Sequence, residues 1–200
     1  MSLDASGTLA ETVVFSKWKG RNYARERVIP ANPRSGGQVG MRAMFKFLSQ
    51  WWTNVPSGKK ATWEDRADSR VISPFNAYVG YNLARWRNFL APSLADPALE
   101  AAAAPAAPTT TPTDGTRQIS LSIADGSPAP DLGYIIHRSG TTGFTPSFAN
   151  AIAVIPTLGT DPTVYIDTPL ALGTYYYRIA GFMDDGKMGT LEAEITDTVV

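Results

Sequence analysis

Apolar residues recur at three- and four-residue steps through much of the first half of the chain. This spacing predicts amphipathic helices over about residues 35–52 and 58–70. We expect Ser57 to cap the second of these. Ser73 followed by Pro74 is a typical start for a third helix, with serine as N-cap and proline in the first turn. The predicted core stripes of these helices contain Met41, Met44, Phe45, Leu48, Trp52, Trp63, Phe75, Tyr78, Val79, Leu83, Trp86 and Leu90.

A strand-like pattern precedes the helices. Residues 7–30 are rich in β-favouring side chains, from Thr12 to Trp18 and again at Val28 and Ile29. This composition predicts either an extended arm or a hairpin that turns at Gly20.

The second half alternates apolar and polar residues with a period of two. In residues 117–124, Ile119, Leu121 and Ile123 would line one buried face. Similar segments follow at about ten-residue spacing, and Asp184–Lys187 has the composition of a hairpin turn. This spacing is typical of an antiparallel sandwich. The further segments are 132–140, 151–159, 163–173, 174–182 and 189–199.

A segment rich in Ala, Pro and Thr, residues 101–115, separates parts of opposite charge. Residues 1–93 contain 14 Lys or Arg and 6 Asp or Glu, whereas residues 94–200 contain 4 and 12. We therefore predict a basic docking module over 1–93, a linker over 94–115 and a sandwich over 116–200. Such an arrangement suits an assembly component better than a catalyst.

Candidate catalytic chemistry is sparse. The chain has no Cys, and its one His, His137, is expected on a strand surface. Asp161, Asp184 and Asp185 are interpreted as turn carboxylates, and no nucleotide-binding or hydrolase motif occurs. We therefore expect no enzyme activity, catalytic residue, metal or cofactor. The sequence also lacks a membrane-length apolar run and a secretory signal, so we expect synthesis in the cytosol and no membrane partner.

The predicted arm alternates basic and aromatic side chains. This mixture can hold phosphates and stack bases, or it can dock on an acidic protein surface, and we favour the protein partner. The candidate partner-binding residues are Lys17, Trp18, Lys19, Arg21, Tyr23, Arg25, Arg27 and Arg34.

The strands of the second half carry a family resemblance. The runs YIIHRSG and YIDTPLALGTYYYRIAGF resemble a fibronectin type III domain over about 85–95 residues. The resemblance implies an immunoglobulin-like sandwich in which Tyr175 or Tyr177 closes a corner, and residues 107–114 serve as the first strand. Ile123 stands where that family usually has a Trp. Such domains are mostly adhesive or spacer modules.

Residues 7–90 resemble an uncharacterised family of tailed bacteriophages and prophages. Its GR…R…P.NP…Q…R..F core corresponds here to Gly20, Arg21, Arg25, Pro30, Asn32, Pro33, Gln38, Arg42 and Phe45. The resemblance implies a virion structural role.

Within that role we expect a capsid-associated decoration or cement protein, present in many copies or as a homo-oligomer on the virion surface. Its partners would be the major capsid protein or other virion proteins. The alternatives are a tail or head–tail connector component and a nucleic-acid-binding protein that uses the basic half.

Overall fold

The computed structural model describes residues 7–9, 12–29, 34–157 and 159–200. The chain forms two compact units, Met1–Arg34 and Ser35–Val200. Pro30, Asn32 and Pro33 of the sequence motif lie outside the described residues.

The first unit contains an antiparallel sheet of β1 (Gly7–Leu9), β2 (Val13–Trp18) and β3 (Arg21–Glu26), in that order. Lys19 and Gly20 join β2 to β3, and both have positive φ angles, of 47° and 80°. Such a two-residue turn matches the twist of a hairpin. Of the two predicted alternatives, the hairpin is therefore confirmed and the extended arm is not. Val28 and Ile29 do not resume a strand, because the pairing ends where the Arg27 N–H donates to the Thr12 carbonyl.

The second unit begins with α1 (Gly36–Trp51), which continues into a 3₁₀ turn, then α2 (Ser57–Asp68) and α3 (Pro74–Arg87). The Ser73 cap is confirmed, since its hydroxyl accepts a hydrogen bond from the Asn76 N–H at 3.2 Å. The Ser57 cap is wrong, because Pro56 occupies the N-cap and Ser57 is already helical.

The predicted helical stripes are mostly buried. Met44, Leu48, Tyr78, Val79 and the indoles of Trp63 and Trp86 lie in the core. Two positions were wrong, since Phe45 is 48% exposed and Leu90 is 40% exposed. Phe47 is buried instead, because α1 packs against both α3 and a strand of the sandwich, and this second contact turns a further face of the helix inward.

The sandwich is antiparallel throughout. One sheet has the order β4-β5-β8 and the other has the order β10-β9-β6-β7. This strand order is that of a fibronectin type III-like, immunoglobulin-like sandwich, as predicted. The strands are β4 (Thr109–Gly115), β5 (Gln118–Ala124), β6 (Gly133–Ser139), β7 (Ala151–Pro156), β8 (Thr163–Asp167), β9 (Gly173–Phe182) and β10 (Ile195–Val199).

The interior of the sandwich follows the sequence pattern. Ile119, Leu121 and Ile123 are fully buried between the sheets. Tyr175 makes the corner contact, because its hydroxyl donates to the Ala171 carbonyl four residues upstream at 3.0 Å. Tyr177 is buried, and its hydroxyl donates to the Asp167 carboxylate at 2.9 Å.

The helices and the sandwich share one hydrophobic core. Phe47 and Trp86 belong to the same buried cluster as Ile135, Val154 and Phe182 of the sandwich. The predicted boundary at residue 93 therefore does not separate compact units, and the division lies instead between Arg34 and Ser35.

The opposite charges of the two predicted halves meet within this unit. Arg66 pairs with Asp96 at 2.9 Å and Arg85 pairs with Glu100 at 2.7 Å. Lys59 also forms an ion pair with Asp184. Part of the charge split is thus an internal complementarity between the helices and the chain that follows them.

The predicted linker is part of the fold. Pro105 and Pro108 are buried, and β4 begins at Thr109. The Ala102 N–H donates to the Asp185 carboxylate at 2.7 Å, and the Ala106 N–H donates to the Pro128 carbonyl at 2.9 Å. Because proline has no N–H, the burial of Pro105 and Pro108 leaves no backbone donor of theirs unsatisfied.

Close approach of α1 to the sandwich provides a test of the shared core. A Cβ at Gly40 would lie 1.7 Å from the Phe148 carbonyl oxygen, so Gly40→Ala must push the helix away. We expect it to lower the free energy of unfolding by about 1–3 kcal/mol in urea unfolding. The matched control is Gly80→Ala, within α3, where the added Cβ meets nothing within 4 Å. This variant should raise the free energy of unfolding by about 0.5–1 kcal/mol. Equal effects of the two variants would contradict the packing described.

Truncation tests the position of the unit boundary. Residues 35–200 should unfold in one cooperative transition. Residues 116–200 alone would lose β4 and expose Leu132, Ile135, Val154 and Phe182, so this fragment should aggregate or melt without cooperativity. Circular dichroism melting and size-exclusion chromatography measure both properties. A cooperative, monomeric 116–200 fragment would restore the boundary predicted from the sequence.

Candidate functional site

The β2–β3 hairpin sorts the candidate binding residues onto two faces. Residues directly opposite each other in an antiparallel pair point to the same side, and Trp18 pairs with Arg21, Ser16 with Tyr23 and Val14 with Arg25. The side chains of Trp18, Arg21, Tyr23 and Arg25 therefore share one face, which we call the basic-aromatic face.

Large side chains of the basic-aromatic face are open to solvent. Trp18 is 65% exposed and Tyr23 is 42% exposed. With Arg21 and Asn22 they line a shallow depression. The Lys19 ammonium lies 4.9 Å from the centre of the Trp18 ring, within cation–π range. Among the described residues, no carboxylate lies within ion-pair distance of Arg21 or Arg25.

The other predicted binding residues lie elsewhere. Lys17 pairs with Asn22 and lies on the opposite face of the hairpin. Lys19 is in the turn. Arg27 follows β3, and Arg34 is exposed just before α1, with a φ of 49°. Sequence spacing alone did not identify Val14 and Ser16, which share the basic-aromatic face and are half-buried.

This arrangement is suited to binding. Residues 1–34 contain six Lys or Arg against three Asp or Glu, so the unit is net positive. Arginine forks pair with carboxylates or phosphates in bidentate geometry, and exposed Trp and Tyr supply rigid apolar contact area.

His137 is not a surface residue, which corrects the sequence prediction. It lies on β6 as expected, but it is fully buried because Phe89, just beyond α3, packs its ring 5.5 Å away. Its Nδ1 lies 3.2 Å from the Arg178 carbonyl oxygen, so this nitrogen carries the proton of a neutral ring. Burial lowers the pKa of His137 to about 4.

The acidic turn residues make structural contacts. Asp161 accepts a hydrogen bond from the Asp125 N–H at 3.0 Å, Asp185 accepts one from Ala102, and Asp184 pairs with Lys59. In the described part of the chain, His, Asp and Glu form no group of three or more that could hold a metal ion. No helix in that part is long and apolar enough to cross a membrane.

Comparison with known proteins yields fold likenesses only. No protein-family model and no curated protein matches the sequence significantly. Similar solved structures include a β-1,2-glucanase from Parabacteroides distasonis, at 18% identity and a TM-score of 0.40 over 48% of this chain and 13% of that one. An Fn3-like protein from Clostridium thermocellum has 25% identity and a TM-score of 0.34 over 47% of this chain and 88% of that one. A PKD domain of an M14-like peptidase from a Thermoplasmatales archaeon has 16% identity and a TM-score of 0.28 over 50% of this chain and 98% of that one.

Burial of His137 predicts a pH dependence of stability. The folded pKa of about 4 lies below the ordinary value of 6.5, so the unfolded chain binds the proton more tightly. The contribution of neutral His137 to the free energy of unfolding is therefore fully present above about pH 6.5 and is lost as the pH falls toward 4. We expect His137 to account for a loss on the order of 2–3 kcal/mol between about pH 7 and about pH 4.5.

The control for this prediction is His137→Gln, which cannot titrate. Urea unfolding of both proteins at the two pH values separates the His137 contribution from that of the carboxylates. A parallel loss of stability in the two proteins would contradict a buried neutral imidazole.

Proposed function

We propose that this chain is a structural component of a tailed-phage particle and that its first unit docks on an acidic surface of another virion protein. The observation that supports this proposal is the basic-aromatic face of Trp18, Arg21, Tyr23 and Arg25, which stands on a compact unit of its own. The resemblance of residues 7–90 to a phage and prophage family supports the assignment to a virion.

Docking explains the composition of the face better than surface solubility does. Trp, Tyr and Arg are enriched at the centres of protein interfaces, whereas Lys and Glu are depleted there. Arg21 and Arg25 have no carboxylate partner among the described residues, so each can pair with a carboxylate on another chain.

The position that we favour in the particle is the capsid surface. A decoration or cement protein would anchor by residues 1–34, and residues 35–200 would face outward or bridge neighbouring copies. A role in the tail or at the head–tail connector uses the same docking face and differs only in the partner. The proposed role is structural and not enzymatic.

Nucleic-acid binding is the second candidate. It is favoured by the presence of Arg21 and Arg25 on the same face as Trp18 and Tyr23, because phosphate pairing and base stacking can then occur together. Mobility-shift titrations over a salt series distinguish it, since the logarithm of a nucleic-acid affinity falls linearly with the logarithm of salt concentration.

Charge reversal on the basic-aromatic face tests the proposal. Arg21→Glu with Arg25→Glu should abolish incorporation into particles, because each new carboxylate would repel an acidic partner. Purified particles are assayed for the chain by quantitative mass spectrometry. Arg70→Glu with Arg87→Glu makes the same change in net charge at exposed positions of α3 and the loop before it, and this control should incorporate normally.

Both double variants should melt like the parent. Normal occupancy of the Arg21 and Arg25 variant in particles would contradict the docking role. Equal loss of incorporation in both double variants would show that net charge alone, and not the basic-aromatic face, is responsible.

A further inference from the structure

The outer edge of β3 lies beside the basic-aromatic face. In the sheet order β1-β2-β3, no described residue pairs with the far side of β3, and all six of its residues are exposed. An edge of this kind can present main-chain donors and acceptors to an added strand.

The direction of these groups follows from the pairing with β2. The Arg27 N–H donates to the Thr12 carbonyl at 2.7 Å, so the peptide groups of Arg27 face β2. Main-chain groups alternate along a strand, so those of Arg25, Tyr23 and Arg21 also face β2. Those of Ala24 and Glu26 face away from it.

We propose that β3 binds an extended acidic segment of a partner protein as an added antiparallel strand. This proposal rests on the proposed docking function and specifies the partner of the same face. The added strand would exchange hydrogen bonds with Ala24 and Glu26 and would place its side chains against Arg21, Tyr23 and Arg25.

Geometry specifies the sequence of that segment. Arg21, Tyr23 and Arg25 would occupy non-hydrogen-bonded pairs with the added strand, where opposing side chains lie closest. Arg21 and Arg25 are about 13 Å apart at the usual rise of a strand. The matching segment therefore has two acidic residues four positions apart with an apolar residue midway between them. The position opposite Glu26 is not acidic, because like charges directly opposite destabilise a pair.

The free edge favours a polypeptide over a nucleic acid. Ala24 and Glu26 each offer an outward N–H donor and an outward carbonyl acceptor. A polypeptide strand matches this alternation, whereas a phosphate backbone has acceptors only and leaves the carbonyls unmatched. Charge then selects an acidic polypeptide, since Arg21 and Arg25 face the incoming side chains.

The test is a titration of the full chain with a synthetic peptide, acetyl-Thr-Thr-Glu-Thr-Val-Thr-Glu-Thr-Thr-amide. Calorimetry measures the affinity, and backbone amide shifts identify the bound residues. We expect the largest shifts at Ala24 and Glu26. The same peptide N-methylated at its second and fourth residues, the Thr residues opposite Glu26 and Ala24, keeps both charges but cannot donate to these two carbonyls, and it should bind at least about fivefold more weakly. The same peptide with Lys in place of both Glu should also bind at least about fivefold more weakly.

A protein variant provides the complementary test. Ala24→Pro removes an outward N–H without removing a bond to β2, because the main-chain groups of Ala24 face away from β2. Proline is tolerated on the solvent side of an edge strand. It should weaken binding at least about fivefold, whereas Ala24→Thr keeps the N–H and should bind like the parent. Amide spectra show whether the hairpin of the proline variant is intact, and the N-methylated peptide tests the edge on the unaltered protein.

Several outcomes would overturn the strand addition. Equal binding of the N-methylated peptide and the parent peptide would show that only the charges contribute to binding. The docking proposal itself would still stand if Arg21→Glu with Arg25→Glu prevents incorporation into particles. Tighter binding of a thymidine oligonucleotide of about ten residues than of the acidic peptide would make a nucleic acid the occupant. Absence of peptide binding would also overturn it.

Discussion

The packing of the helices on the outer face of the β10-β9-β6-β7 sheet is the contact on which the second unit depends. Phe47 of α1 meets Phe182 of β9 edge-on, with ring centres 5.6 Å apart. Gly36 and Gly40 bring α1 against the main chain of Ala149 and Phe148, where a Cβ would not fit. Short helices are marginal alone, and a single sandwich face of Leu132, Ile135 and Val154 would be exposed without them. Each part therefore supplies the apolar surface that the other must bury.

Buried hydrogen bonds hold the segment after α3 in the same unit. The Trp63 indole donates to the Leu94 carbonyl at 2.7 Å, and the Asn82 side chain both donates to the Ser93 carbonyl at 3.0 Å and accepts from its N–H at 2.8 Å. Because an unsatisfied buried polar group is costly, Trp63 and Asn82 require this segment in place. Ion pairs of Arg66 with Asp96 and of Arg85 with Glu100 add to the same attachment.

The first unit is built on a different principle. Every residue of β3 is exposed, and the largest aromatic side chains of the hairpin face solvent. Such a sheet has little apolar area of its own to bury, so a partner that covers Trp18 and Tyr23 would add surface burial that the unit lacks. A partner that covered these side chains would therefore stabilise the unit, which is consistent with the docking role that we propose.

Local patterns determined much of the structure. The helix positions, the Ser73 cap, the Gly20 turn and the inward Ile119, Leu121 and Ile123 all follow from periodicity and turn chemistry, which act over a few residues. Charged and aromatic residues of the hairpin were also identifiable, because their composition is local.

Tertiary structure alone decided which elements share a core. The Ala/Pro/Thr segment has the composition of a linker, yet its course beside Pro128 and Asp185 depends on residues that are far away in sequence. His137 is buried because Phe89 covers it, and Phe47 is buried because β7 and β9 lie beside α1. The opposite charges on either side of residue 93 suggested separation, but opposite charges also attract across a shared interface, and only the folded chain distinguishes the two. Strand register likewise placed Arg21 and Arg25 on the face of Trp18 and Tyr23 and left Lys17 on the other, since the pairing of two strands is not encoded in the composition of either one.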